Sequence, residues 1–472
     1  MSTLEQKSPR AIVGRTARRR QRRGVALILV LSSLTILAVM LAEFQDTTSV
    51  QFSSAITHRD SVKAEYAARS AINLTRLLVA SEPTVRQAVS VFYMAMGGRA
   101  PQIPVWEYSD RILGAFNDED GATRFKLLSN LNISDGKNLG LDGAGFEIQV
   151  TDEDGKINLN MAARGDDFSK VRLAAALAGL MNGPQHDTLF ANRDGDGNFS
   201  DRQTICSAII DWADPDQDVE HCELGEAVAR TAVPEDSFYQ ALPVAYQRKN
   251  AAFDSLEELR MVRGVGDDFW SVFVDPEPDA PWRRPVTVWG QASVNVNTAN
   301  AQTALAVACS RAVLEESPLC TDPTQMMTFI SSMDLVRSAM PGVPPFPSEK
   351  AFLDAMKGQG PIGTMMSALG VQPIRFVSES DARKVISTKS QIFSVYSTGY
   401  VRSRERETRV HIHAVVDFRG APEVASLPGA ASPSDPESSD RDPQAPSSAA
   451  GDPVAGALKP DPAGKIVYFR IN

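Results

Sequence analysis

The feature that most constrains this chain is the run from Val25 to Ala42, eighteen residues without an ionisable group. A helix rises 1.5 Å per residue, so this run spans about 27 Å, close to the hydrocarbon thickness of a bilayer. Arg10, Arg15, Arg18, Arg19, Arg20, Arg22 and Arg23 precede it, with no acidic residue after Glu5 to offset them. One-sided positive charge of this kind keeps the amino terminus cytoplasmic and sends the remainder of the chain across the membrane. A cleavable secretory signal would end in a small-x-small cut site, whereas this run continues into Glu43-Phe44-Gln45, so the reading is a retained anchor. Beyond it, Tyr66, Ala67, Ser70, Ala71, Leu74, Leu77 and Leu78 recur at helical spacings, and neither Gly nor Pro occurs from Val25 until Pro83. One helix from about residue 25 to 80 is expected, with residues 25–42 in lipid and 43–80 as a stalk.

The exported part is long enough for two or three cores, since the chain has 472 residues of which 43% are apolar. A net charge of −10 argues against wrapping a phosphate backbone. Residues 145–161, GFEIQVTDEDGKINLNM, alternate about an Asp-Glu-Asp-Gly turn and read as a hairpin. A second hairpin is read around the charged turn Arg402 to Glu407, with Tyr400, Val401, Val410, Ile412, Ala414 and Val416 in its strands. Long helix followed by antiparallel sheet is an α+β arrangement, and the mostly helical stretch between the hairpins reads as an inserted domain. The expected division is a head from 81–165 and 380–420 with an insertion at 166–379. Residues 421–464, rich in Pro, Ser, Ala and Asp, carry too little apolar surface to order themselves, and 465–472 reads as a final strand.

Oxygen ligands cluster in the insertion. In NRDGDGNFSD, Asn192, Asp194 and Asp196 stand at alternate positions and are followed by Gly197, which is how a calcium loop begins. The twelfth position is Gln203 and not a bidentate Glu, so Asn198 and Asp201 are needed to complete the shell. Asp211, Asp214, Asp216 and Asp218, with Glu235 and Asp236, offer further carboxylates for one or two Ca2+ ions. Oxygen donors without His or Cys suit calcium over zinc. Solvated acidic turns are the other reading of the same residues.

Four cysteines form local pairs, Cys206 with Cys222 and Cys309 with Cys320, and an oxidising compartment would close both. No C-x-x-C occurs. The histidines, His58, His186, His221, His411 and His413, accompany no Ser or Cys nucleophile motif, so no enzyme or small-molecule substrate is expected. His411 and His413 read as polar residues on a solvated strand face. FDSLEELRMVRGVGDDFW (253–270) resembles a helix-hairpin-helix, with Leu256 and Leu259 on one face and Gly264-Val265-Gly266 as the hairpin. SVNVNTANAQTALAVA (293–308) resembles the start of a related helical module. Glu257, Glu258, Asp267 and Asp268 surround the hairpin, which favours the SAM-like packing version over the DNA-binding one. A membrane-tethered DNA-uptake protein is the alternative reading.

Gly24, between RR and VALILVL, resembles the cleavage site of a class III, type IV pilin-like leader. That resemblance implies that a prepilin peptidase cuts after Gly24, methylates Val25 and leaves the apolar helix in place. The fifth mature residue is Leu29 where most members of that family carry Glu. RRGVALILVL, TDEDGKINLN, AIIDWADPDQD, FDSLEELRMVRGVG and SVNVNTANAQTALA, in that order, resemble the K-type minor pseudopilin of the type II secretion system, the general secretion pathway protein K family. The resemblance implies a pilin-like helix and sheet head with a large helical insertion. It also implies a single-pass inner-membrane anchor, a periplasmic main domain, partnership with the I-type and J-type minor pseudopilins, and a place at the pseudopilus tip. The stretch 421–464 is not expected in that family.

Overall fold

The computed structural model describes residues 17–95, 100–117, 140–141, 143–193, 197–216, 222, 237–339, 342–403, 406–422 and 461–471. It divides into two compact units, Met1–Lys63 and Ala64–Asn472. The described part of the first is helical. It belongs to α1, Ala17–Ala80, which starts eight residues before the expected boundary at 25. Val25, Leu29, Leu34 and Leu41 are all exposed there, and by length and composition the helix is apolar enough to cross a membrane.

In the second unit, the remainder of α1 packs on a four-stranded antiparallel sheet of order β1-β6-β7-β8, made of Ala144–Asp152, Ile392–Ser403, Arg406–Asp417 and Lys465–Ile471. Alternation decides which face is covered. Val395, Val401, Val410, Ile412, Ala414 and Val416 point to the helix and meet Ala64, Ala67, Ala68 and Ile72. The small helix residues let the two backbones approach closely, and Gly399 sits at the tightest point. A Cβ there would lie 1.9 Å from the Ala64 carbonyl oxygen and 2.8 Å from the Ala68 nitrogen. Ser397 Oγ donates to Ala68 O at 3.1 Å beside it. Outside β1, the Asn117 side chain bonds both polar groups of Phe146, with Nδ2 donating to its carbonyl at 2.5 Å and Oδ1 accepting from its N–H at 2.9 Å. β8 begins in a clasp from α1: Arg76 donates to Asp461 Oδ2 at 2.7 Å, Gly464 O at 2.6 Å and Ala463 O at 3.0 Å.

Between β1 and β6 lies a separate, mainly helical core. Its elements include β2 (Ile157–Asn158), α2 (Asp167–Met181), α3 (Arg202–Ala213), β3 (Val286–Thr287), β4 (Val294–Asn295), α4 (Ala301–Cys309), α5 (Pro323–Ala339), α6 (Glu349–Met356) and β5 (Ile386–Ser387). Leu173, Leu177, Ile205, Ile209, Leu305, Phe329 and Phe352 fill its centre.

The first expected hairpin does not form. β1 pairs with β6, from Ala144↔Val401 to Asp152↔Phe393, and β2 pairs in parallel with β3. The turn between them is a buried polar joint and not a solvated reversal, because its carboxylates accept hydrogen bonds from chain segments that return much later. The helix-hairpin-helix stretch keeps a helical segment on each side of Gly264, which has φ +78. Leu256–Met261 is a 3₁₀ helix, Asp267–Phe269 is one short turn, and Trp270–Val274 is a π turn, with Leu259 buried and Leu256 half-buried. In the second module, the Asn300 side chain accepts from Thr303 N at 2.6 Å and so caps α4, while Asn297 pairs with both backbone groups of Phe346.

Candidate functional site

The calcium-like loop closes on itself. Arg193 and Phe199 form an antiparallel bridge, Arg193 Nη1 donates to Gly197 O at 2.5 Å, and the guanidinium lies 4.6 Å from the Phe199 ring centroid. Gly197 has φ +80, the left-handed turn for which glycine is favoured. Asn192 and Asp201 are exposed and Asn198 is half-buried. One oxygen of Asp201 caps α3, accepting from Thr204 N at 2.8 Å. Asp194 and Asp196 lie outside the described residues.

The second acidic run is arranged differently. Lys170, on α2, is 1% exposed and Asp214, just past α3, is 0% exposed. The ammonium donates to Asp214 Oδ2 at 2.8 Å and also to Asp216. Burial opposes the charge on Lys170, but its two carboxylate partners outweigh this and raise its pKa above the ordinary lysine value. Burial raises the pKa of Asp214 in spite of Lys170. The other oxygen of Asp214 is buried with no hydrogen-bond partner. Asp211 is buried too, and its backbone carbonyl accepts from Arg248. Lys170 thus places one positive charge against Asp214 and Asp216. Asp218, Glu235 and Asp236 lie outside the described residues, and among those described no three His, Cys, Asp or Glu side chains gather as a cation cage.

Disulfides link Cys206 to Cys222, from within α3, and Cys309 to Cys320, with Cα separations of 5.9 and 5.6 Å. Gly24 and Val25 both lie within α1.

The joint between sheet and insertion is built from TDEDGKIN. Asp152 Oδ2 accepts from the hydroxyls of Thr298 and Ser390, and Oδ1 accepts from Asp154 N at 2.9 Å. Asp154 accepts from Gln291 N at 2.9 Å, Gln291 Nε2 at 2.9 Å, Gln391 N at 2.6 Å and Ile392 N at 3.0 Å. Glu153 pairs with the buried Lys156 at 3.0 Å and accepts from Thr287 Oγ1 at 2.5 Å. Burial and then the neighbouring Asp154 push the Asp152 carboxyl up to about 7. Burial would raise Glu153 as well, but the charge of Lys156 and several hydrogen bonds bring it below its ordinary value. These groups pin the end of β1, the loop before β4 and the start of β6 to one point, so the arrangement positions domains and presents no nucleophile.

Residues 155–272 match the family described as Type II secretion system (T2SS), protein K. The chain carries a protein K domain. That protein K domain begins inside the joint, at Gly155, contains α2, α3 and the calcium-like loop, and ends in the π turn at Val272. No curated protein matches the chain in sequence. Among solved structures, one chain of the GspK-GspI-GspJ complex from the enterotoxigenic Escherichia coli Type 2 Secretion System is similar over 90% of this chain and 99% of its own, at 12% identity and a TM-score of 0.41.

Proposed function

We propose that this chain is the K-type minor pseudopilin of a type II secretion system, standing at the tip of the periplasmic pseudopilus and starting its assembly for export of folded proteins. The observation that carries the proposal is the protein K domain, inserted between β1 and β6 of a sheet that packs on a helix with an apolar, membrane-length start. In this reading a prepilin peptidase cuts after Gly24 and methylates Val25, and the helix stays in the inner membrane with its basic side cytoplasmic. Leu29 suits an end subunit. A carboxylate in lipid costs about 2.5 to 3.5 kcal/mol unless paired, and a subunit with none above it has no need of that pairing. The I-type and J-type minor pseudopilins are the partners, the insertion supplies the bulk that stops further stacking, and the role is structural, not catalytic. A calcium ion in the loop formed by Asn192, Asp194, Asp196, Asn198 and Asp201 would brace the insertion, and the run from Asp211 to Asp218 with Glu235 and Asp236 offers carboxylates for a second.

Mass spectrometry of the mature amino terminus tests the processing step. The expected product begins at Val25 and carries one methyl group. An intact Met1, or a cut near Ala42, would contradict it.

A further inference from the structure

On the sheet face away from α1, the registers Gln149↔Tyr396, Tyr396↔His413 and His413↔Arg470 draw one row of side chains across all four strands. His411 is exposed on this face, whereas His413 is half-buried. The face forms one wall of a cavity of about 520 Å³ whose other wall is the insertion. Four rings run along it: Tyr396 stacks on His413 with centroids 4.3 Å apart and planes within 8°, His413 meets Tyr468 at 5.2 Å, and Tyr468 meets Trp289 of the insertion at 5.3 Å. His413 Nε2 is buried there without a hydrogen-bond partner. Burial keeps that imidazole neutral, its pKa pushed down to about 4.

The charges along the cavity narrow what it would take. Lys156 is held by Glu153, Arg284 by Asp275 and Asp254 by Lys249, so these ions are already compensated within the protein. Among the described residues, Glu257, Asp279 and Arg470 hold no ion pair, and they mix acceptors with a donor. A phosphate backbone needs clustered positive charge, which is absent here. A peptide that pairs its backbone with the sheet needs a strand edge, and this wall is the face of the sheet. Aromatic surface beside a mixture of hydrogen-bond acceptors and a donor, in a cavity within the usual range for ligands, suits a molecule with apolar C–H faces and many hydroxyls.

We infer that this cavity binds a neutral oligosaccharide, one ring lying against the Trp289 and Tyr468 side chains and its hydroxyls meeting Glu257, Asp279 and Arg470. The inference is independent of the secretion role.

The test uses the full chain in a detergent without a sugar head group, titrated with maltotriose, cellotriose and chitotriose, with saturation transfer to the sugar and tryptophan fluorescence as readouts. At least one trisaccharide is expected to bind with millimolar affinity. Trp289→Ala is expected to weaken it about tenfold, the size of one lost ring contact, and Trp282→Ala, an exposed tryptophan outside the cavity wall, is expected to leave it unchanged. Should Trp289→Ala fail to fold, Glu257→Gln with Asp279→Asn at the exposed mouth is expected to give a loss of about tenfold through weaker hydroxyl bonding. No saturation transfer from any of the three sugars overturns the proposal. So does binding that Trp289→Ala or the mouth variant leaves undiminished. An unglycosylated decapeptide that binds where no sugar does would reassign the cavity to peptide.

Discussion

Lys170 and Asp214 show how much depends on single side chains in the protein K domain. Both are out of water, and each is tolerable only because the other is there. Lys170→Met leaves Asp214 buried without its cation and is expected to cost about 3–5 kcal/mol in denaturant unfolding. Adding Asp214→Asn should recover a good part of that loss, because the uncompensated charge goes with it. A single variant as stable as the wild type would show that the pair is not formed. Asp152 makes a prediction in pH. Its carboxyl is raised from an ordinary 3.8 to about 7, so the folded state holds the proton more tightly than the unfolded chain. Its contribution to stability is complete below about pH 4, declines as pH rises, and is lost above about 7. The stability of the wild type relative to Asp152→Asn should therefore fall across that window in pH-dependent unfolding. A difference that stays flat, or rises with pH, would contradict the geometry of the joint.

At the scale of elements, β7 was legible because Val410, Ile412, Ala414 and Val416 recur at every second position and so share the face that meets the helix. The partner of β1 was not legible. Period two identifies a strand but carries no information about a neighbour some 240 residues away, and TDEDG reads as an exposed turn until Thr298, Ser390 and Gln391 come back to bond it. Lys170 did leave a trace, since it shares the apolar face of α2 with Leu173 and Leu177 at i, i+3 and i+7. A lysine on such a face needs a buried acid, and the acidic run supplies Asp214. In the calcium-like loop, Gly197 takes the left-handed turn and the Arg193–Phe199 bridge ties the two described sides together. The expected outcome is that a chelator lowers the melting temperature of the wild type and has no further effect on Asp194→Ala with Asp196→Ala. Identical melting with and without chelator would leave the loop as a solvated turn.

At the scale of the whole molecule, the described residues combine a membrane-length apolar helix, a sheet that covers its later turns from Ala64 onward, and a protein K domain held between strands by a buried polar joint. A subunit that starts a fibre needs a rod compatible with those below it and a head that nothing stacks upon. In the proposed role the joint bears on the second requirement: an insertion fixed at Asp152 and Asp154 would obstruct stacking, whereas one on a loose tether could be pushed aside. The most direct measurement is the position of this chain in assembled pseudopili, read by gold labelling of an epitope in the insertion. The account predicts label at one end of each fibre, and no fibres when the chain is missing. Label distributed along the length would contradict it.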